Sequence, residues 1–324
     1  MNLPVSRRLD FSEIPVIDVA SLIDENAGKV ALSSVAEEIR KACTDVGFFY
    51  VCNHGIEQSL IDSVVGEGKR FFCQPVDQKL DVAINPRIRG YLPLYYRSYE
   101  GEDRAGTSHQ EGFWIGHETP VNPERPLDGP NQWPDGCGSL QQAMNRYFAE
   151  SEKLSRALQK GFALALGLDQ SFFYDYFDNP TSRLKINHYP TQEDDITETN
   201  LGVVPHSDSG GYTILWQDQE GGLEIQSKSG EWISAPPVDG SFVINIGNIM
   251  QYWSNGLFSS TPHRVVNRSE RDRYSIPLFV NPNYESVIRT LVGDSDSFKP
   301  FNYGDYQLAL WRKTFPVAYI DQKE

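Results

Sequence analysis

Sulfur is scarce in this chain, with four cysteines and three methionines in 324 residues. Cys43, Cys52, Cys73 and Cys137 lie far apart and form no CxxC pair. That argues against a disulfide framework or a thiolate zinc site and fits a reducing compartment. Positive charge is short too: 29 Lys and Arg face 44 Asp and Glu, a formal charge of −15. With no basic run to concentrate the cations, phosphate backbones and anionic membrane surfaces are poor partners. No stretch approaches the roughly 20 apolar residues of a membrane helix, and the first residues lack an apolar signal core. The expectation is a soluble, unprocessed, cytoplasmic protein whose partner is a small molecule. Nucleic acid, membrane and an obligatory protein partner are not expected. Apolar residues at 39% and aromatics at 12% exclude disorder over most of the length and suffice for a large core.

The first half alternates helix and strand signals. Ile14 to Val19 reads as a strand, followed by a helical period through Val35, Ile39, Ala42, Cys43 and Val46, with Ser34 and Glu37 spaced as a capping box. Phe48 to Val51 suits a buried strand, Asn53-His54-Gly55 a turn, and Leu60, Ile61, Val64, Val65, Phe71 and Phe72 a second helix. From Asn85 to Gly138 the pattern dissolves into Gly, Pro, Asn and aromatics, an irregular stretch of the kind kept for function or surface wrapping. Leu140, Met144, Tyr147, Leu154, Leu158, Phe162 and Leu166 then predict a long helix closed by Gly167.

After Asn179-Pro180 short β-prone segments follow one another: Leu184 to Tyr189, Tyr212 to Trp216, Leu223 to Gln226, Trp232 to Ala235, Phe242 to Ile246, His263 to Asn267 and Tyr274 to Val280. Such spacing predicts a jelly roll, mainly β with flanking helices, and Tyr306 to Phe315 a last helix ended by Pro316. The expected division is an N-terminal α/β region, 1–178, whose helices back the barrel, and a catalytic jelly-roll region, 179–324.

Two of the six histidines stand where they can act together. Residues two apart on a strand share a face, so His206 and Asp208 can offer an imidazole and a carboxylate to one point, and a neighbouring strand can bring His263. Two histidines and one carboxylate leave three cis positions on a metal open, the arrangement of non-haem Fe(II) oxygenases. Arg273 and Ser275, again two apart, pair a guanidinium with a hydroxyl, suited to holding a carboxylate.

His206-Ser207-Asp208, His263 and Arg273-Tyr274-Ser275 together resemble the HxD…H…RxS pattern of the isopenicillin N synthase-like branch of Fe(II)/2-oxoglutarate-dependent oxygenases, the iron/ascorbate-dependent oxidoreductases. Gly47 to Ile56, Asn187-His188-Tyr189-Pro190, Ser254-Asn255-Gly256 and Tyr303-Gly304-Asp305-Tyr306 extend the resemblance over nearly the whole chain. It implies a distorted double-stranded β-helix, Fe(II) on His206, Asp208 and His263, and 2-oxoglutarate held by Arg273, Ser275, Tyr189 and Asn187. Dioxygen would be the oxidant and ascorbate a candidate activator. His54, in an N-terminal turn, is assigned a hydrogen-bonding role rather than ligation. Substrate contacts are expected from the irregular middle: Tyr91, Tyr96, His109, Glu111, Phe113 and Trp114.

The implied reaction is oxidation of a small molecule, most simply hydroxylation, with release of succinate and CO2. A 2-oxoglutarate-independent oxidase of the same fold is the nearest alternative. A zinc hydrolase or a non-catalytic jelly-roll binding protein could use the same histidines or barrel, but neither requires Arg273-Tyr274-Ser275.

Overall fold

The computed structural model describes residues 7–8, 14–94, 107–192, 196–197, 200–293 and 298–322. Among them the strands build an eight-stranded sheet, a five-stranded sheet and two ribbons. The order across the large sheet is Val16–Asp18, Phe48–Cys52, Phe242–Ile246, Tyr212–Gln217, Arg273–Val280, Arg183–Tyr189, Glu111–Gly116 and Gly90–Leu92. The small sheet runs Arg7–Arg8, Trp232–Ser234, Leu223–Gln226, His263–Val265 and Val203–His206. Ile225, Ile233, Leu223 and Val265 of the small sheet pack against Phe48, Tyr50, Val243 and Tyr189 of the large one, so the two sheets close face to face.

The other face of the large sheet carries Leu184, Ile186, Ile214, Ile244, Ile276 and Leu278. They share one core with the apolar stripes of the helices Lys29–Asp45, Gln58–Phe72 and Gly138–Ala165. Strands covered on both sides read as near-continuous apolar runs, which is why Phe242–Ile246 and Arg273–Val280 stood out in the sequence. The fold is a mainly β double-stranded β-helix with flanking helices, as the segment spacing predicts.

Three local expectations change. The helix of residues 29–45 starts at Lys29 with Gly28 as its extended N-cap, so Ser34 and Glu37 lie inside it rather than forming a capping box. The stretch 85–138 is not irregular throughout: Glu111–Gly116 pairs with Arg183–Tyr189 and Gly90–Leu92 adds a further edge. Every residue of Glu111–Gly116 is buried, so the sequence shows no polar alternation, and its two glycines blur the strand signal further. The boundary at 178/179 is also not an edge of the sheet, because four strands from before it flank strands from after it. The long helix does end as expected, with Gly167 at φ 74°.

Candidate metal centre and its two cavities

His206 closes the strand Val203–His206 and pairs directly with His263 on the next strand, while Asp208 follows just beyond the strand end. Nitrogen atoms of both imidazoles and a carboxylate oxygen of Asp208 lie within 4.8 Å of one another, the one such His/Cys/Asp/Glu group among the described residues. Asp208 Oδ1 is 3.7 Å from His206 Nε2 and 3.9 Å from His263 Nε2. Each ring is turned by its other nitrogen: Nδ1–H of His206 donates to the Val204 carbonyl at 3.0 Å, and that of His263 to Thr261 at 3.2 Å. Both Nε2 lone pairs therefore face the shared point, which is the outer hydrogen-bonding typical of ligating histidines.

Asp208 is oriented in the same way. Thr213 Oγ1 and Asn245 Nδ2 donate to its Oδ2 at 2.5 and 2.7 Å, leaving Oδ1 toward the histidines. Burial by itself would raise the Asp208 carboxyl. Positive charge at the His263 and His206 positions and the bonds from Thr213 and Asn245 outweigh it and hold the group below the ordinary aspartate range. A divalent ion suits this donor set, with two neutral imidazoles, one carboxylate and a remainder left open.

Inward from the triad, Arg273 and Ser275 pair across the sheet with Tyr189 and Asn187, so four side chains share one face. Asn187 Nδ2 donates to Ser275 Oγ at 3.1 Å. The Arg273 guanidinium lies 4.6 Å from the centre of the Tyr189 ring and donates to the carbonyl of Gly221 and to Gln217 Oε1. Its Nη1 is buried without a partner among the described residues, as is Asn187 Oδ1. A buried guanidinium with an open N–H beside a hydroxyl and an aromatic wall suits an anionic group such as the distal carboxylate of 2-oxoglutarate.

On the other side of His206 and Asp208 a cavity of about 300 Å³ is walled by Trp114, Phe279, Tyr306, Trp311 and Phe315. The helix Tyr303–Thr314 supplies two of these rings, and Asn302 caps it by accepting from the backbone N–H of Asp305 at 2.9 Å. His206, Asp208 and Phe279 border both cavities, which places the triad at their junction.

Of the expected substrate residues that are described, only Trp114 reaches these cavities. Tyr91, Glu111 and Phe113 are on the helix-facing side of the sheet, because successive strand residues point to opposite faces. Glu111 there accepts from Lys79 Nζ and His188 Nδ1, both at 2.7 Å, and from the Tyr91 hydroxyl. Phe113 packs edge-on against Phe71. His109 borders neither cavity and is tied by its backbone N–H to Leu201. Tyr96 lies outside the described residues. His54 accepts from the N–H of Ile56 at 3.1 Å through Nδ1 and meets the Phe242 ring edge-on, far in role from ligation.

Gln110, Lys185, Phe279, Trp311 and Phe315 line the cavities and were not singled out from the sequence. Stepping by two from Trp114 back to Gln110, and from Asn187 back to Lys185, would have found the first two.

Residues 14–136 match the family described as non-haem dioxygenase in morphine synthesis N-terminal, and residues 180–282 match the 2OG-Fe(II) oxygenase superfamily. A probable iron/ascorbate oxidoreductase of Dictyostelium discoideum is 33% identical, over 95% of this chain and 96% of its own. A homoarginine-6-hydroxylase of Arabidopsis thaliana is 32% identical, over 95% and 99%. Among solved structures, a full-length Neurospora crassa protein in complex with alpha-KG and thymine superposes with a TM-score of 0.80 at 28% identity, covering 91% of this chain and 96% of that one.

Proposed function

This chain belongs to the 2OG-Fe(II) oxygenase superfamily as an Fe(II)- and 2-oxoglutarate-dependent dioxygenase acting on small molecules, and we propose that it hydroxylates its substrate at the centre formed by His206, Asp208 and His263. The balanced reaction takes a substrate C–H, dioxygen and 2-oxoglutarate to C–OH, succinate and CO2. When bound, Fe(II) with 2-oxoglutarate supplies the activation of dioxygen that an amino-acid side chain lacks. The protein's part is positional. Val204 and Thr261 hold the imidazole tautomers, and Thr213 and Asn245 hold the carboxylate. Arg273 and Ser275, with Tyr189 and Asn187 opposite, receive the co-substrate's far carboxylate. The cavity beyond the triad, with its aromatic wall, seats the substrate.

The observation that carries this reading is the buried Arg273, its Nη1 without a partner among the described residues, on the same inner wall as the oriented triad. Homoarginine and thymine, named for two relatives, differ too much in shape for either to be assigned to this chain. Anaerobic addition of 2-oxoglutarate to the Fe(II)-loaded protein is expected to give a weak visible charge-transfer band. Persistence of that band in a His206→Ala, Asp208→Ala variant would overturn the ligand assignment. Arg273→Gln is expected to weaken 2-oxoglutarate by roughly 2 to 5 kcal/mol and iron much less, as read by titration calorimetry with each. Equal losses would mean a general folding defect instead.

A further inference from the structure

Asn187 and Tyr189 face the inner cavity, so His188 between them points to the opposite side of the sheet. There its ring stacks on Phe72 at 5.2 Å and on Tyr274 at 4.8 Å, and the residue is buried. Each ring nitrogen meets a carboxylate: Nδ1 lies 2.7 Å from Glu111 Oε1 and Nε2 3.0 Å from Asp272 Oδ2. Lys79 Nζ and the Tyr91 hydroxyl donate in turn to Glu111, which anchors one end of the chain. The other end, Asp272, is the residue before Arg273.

That end lies where the ladder stops. Tyr189 opposite Arg273 is the last registered pair of the two strands, and Pro190, next in line, has no backbone N–H to extend it. Beyond it the Asp272 carboxylate takes over: Oδ2 meets His188, and Oδ1 accepts the N–H of Thr191 at 3.1 Å. On the other side of Arg273, the N–H of Tyr274 donates to Asp218 Oδ2 at 2.5 Å. Arg273 thus stands between two neighbours that are each tied through a carboxylate. His188, Glu111 and Asp272 do not themselves border the inner cavity.

Resting on the function proposed above, we propose that His188 is a positioning residue for the co-substrate: through Asp272 it fixes the strand end that carries Arg273, and so the place where the guanidinium meets the far carboxylate of 2-oxoglutarate. The stacked ring and its bond to Glu111 set the direction of Nε2, so Asp272 is held from a rigid base. A charge-assisted contact depends on geometry, and a guanidinium free to shift loses part of its hold on an anion even with every contacting side chain present.

The test is anaerobic calorimetry of the Fe(II)-loaded protein with 2-oxoglutarate, for the parent, His188→Leu, Asp272→Ala and the double variant. Each single substitution is expected to weaken 2-oxoglutarate about threefold or more, as loss of one such bond implies, with iron affinity within about twofold of the parent. Both substitutions break the same link, so the double variant should bind within about twofold of the weaker single variant. Melting temperatures identify misfolding. The Asp272 side chain is 45% exposed, so Asp272→Ala is expected to fold and decides alone if His188→Leu does not. A loss below about threefold in Asp272→Ala would overturn the assignment, as would single losses that multiply in the double variant. An equal loss of iron affinity would also overturn it, by making the link a general brace of the fold. If the parent protein binds no 2-oxoglutarate, the function proposed above fails and this inference with it; if the parent binds it and the variants bind it as well, only this inference fails.

Discussion

Phe113 and Trp114 adjoin in sequence but stand on opposite faces of one strand, so their replacement should have unlike effects. Trp114→Ala opens the wall of the outer cavity and is expected to lower succinate formation coupled to substrate while 2-oxoglutarate still binds. Phe113→Ala empties a site at 0% exposure behind the sheet and should cost about 3 to 5 kcal/mol of stability, read by denaturant unfolding. Coupling per folded molecule should remain intact in that variant. The same parity separates Glu111 from the chemistry. Burial would raise its carboxyl, but His188, Lys79 and Tyr91 together hold it below the ordinary glutamate range. A depressed acid contributes stability that is full above the unfolded value, about 4.3, and is lost as pH falls through the folded one. Glu111→Gln should therefore flatten the acid limb of a stability–pH curve. The candidate ligands His206, Asp208 and His263 were legible because three residue types with metal chemistry stood in order. Gln110 and Lys185, which line the inner cavity, were not, since neither residue type stands out until a strand partner places it.

At the scale of elements, the long helix Gly138–Ala165 and the strands after residue 180 were legible because each is long, periodic and bounded by turn residues. Gly90–Leu92 and Glu111–Gly116 were not, because two buried faces erase the alternation that marks a strand. The turn after Phe48–Cys52 carries its own titration. His54 takes a backbone N–H on Nδ1, and burial, partly offset by a bond to the Gly240 carbonyl, lowers its basicity. A base depressed on folding stabilises above its unfolded value, about 6.5, and that contribution is lost as pH falls below it. His54→Gln should remove this part of the pH dependence below about 6.5 without altering the charge-transfer band. Helix Tyr303–Thr314 depends on a different contact. Asn302→Ala removes its cap, with an expected cost of about 1 kcal/mol. Because this helix walls the outer cavity, KM for substrate should rise while calorimetric binding of 2-oxoglutarate stays constant.

At the scale of the whole molecule, the net charge of −15 surrounds an interior holding Arg273, so an anion that reaches the barrel exchanges a repelling surface for a buried guanidinium. The shared sheet makes the two halves of the chain depend on each other, since Glu111–Gly116 is hydrogen-bonded to the strand that carries Asn187 and Tyr189. A further dependence follows from the direct pairing of His206 with His263, next to a register shift before Val265. An ion bound there cross-braces two strands at their least regular point. It then acts as a ligand of the native state alone, so unfolding becomes linked to metal by mass action. At a free Mn(II) concentration of about 100 times Kd the native state should gain about 2.7 kcal/mol, and the unfolding midpoint should climb with each further increase. Amide hydrogen exchange would locate the effect: protection should deepen most at Val203 and Val265, and little in the helices behind the large sheet.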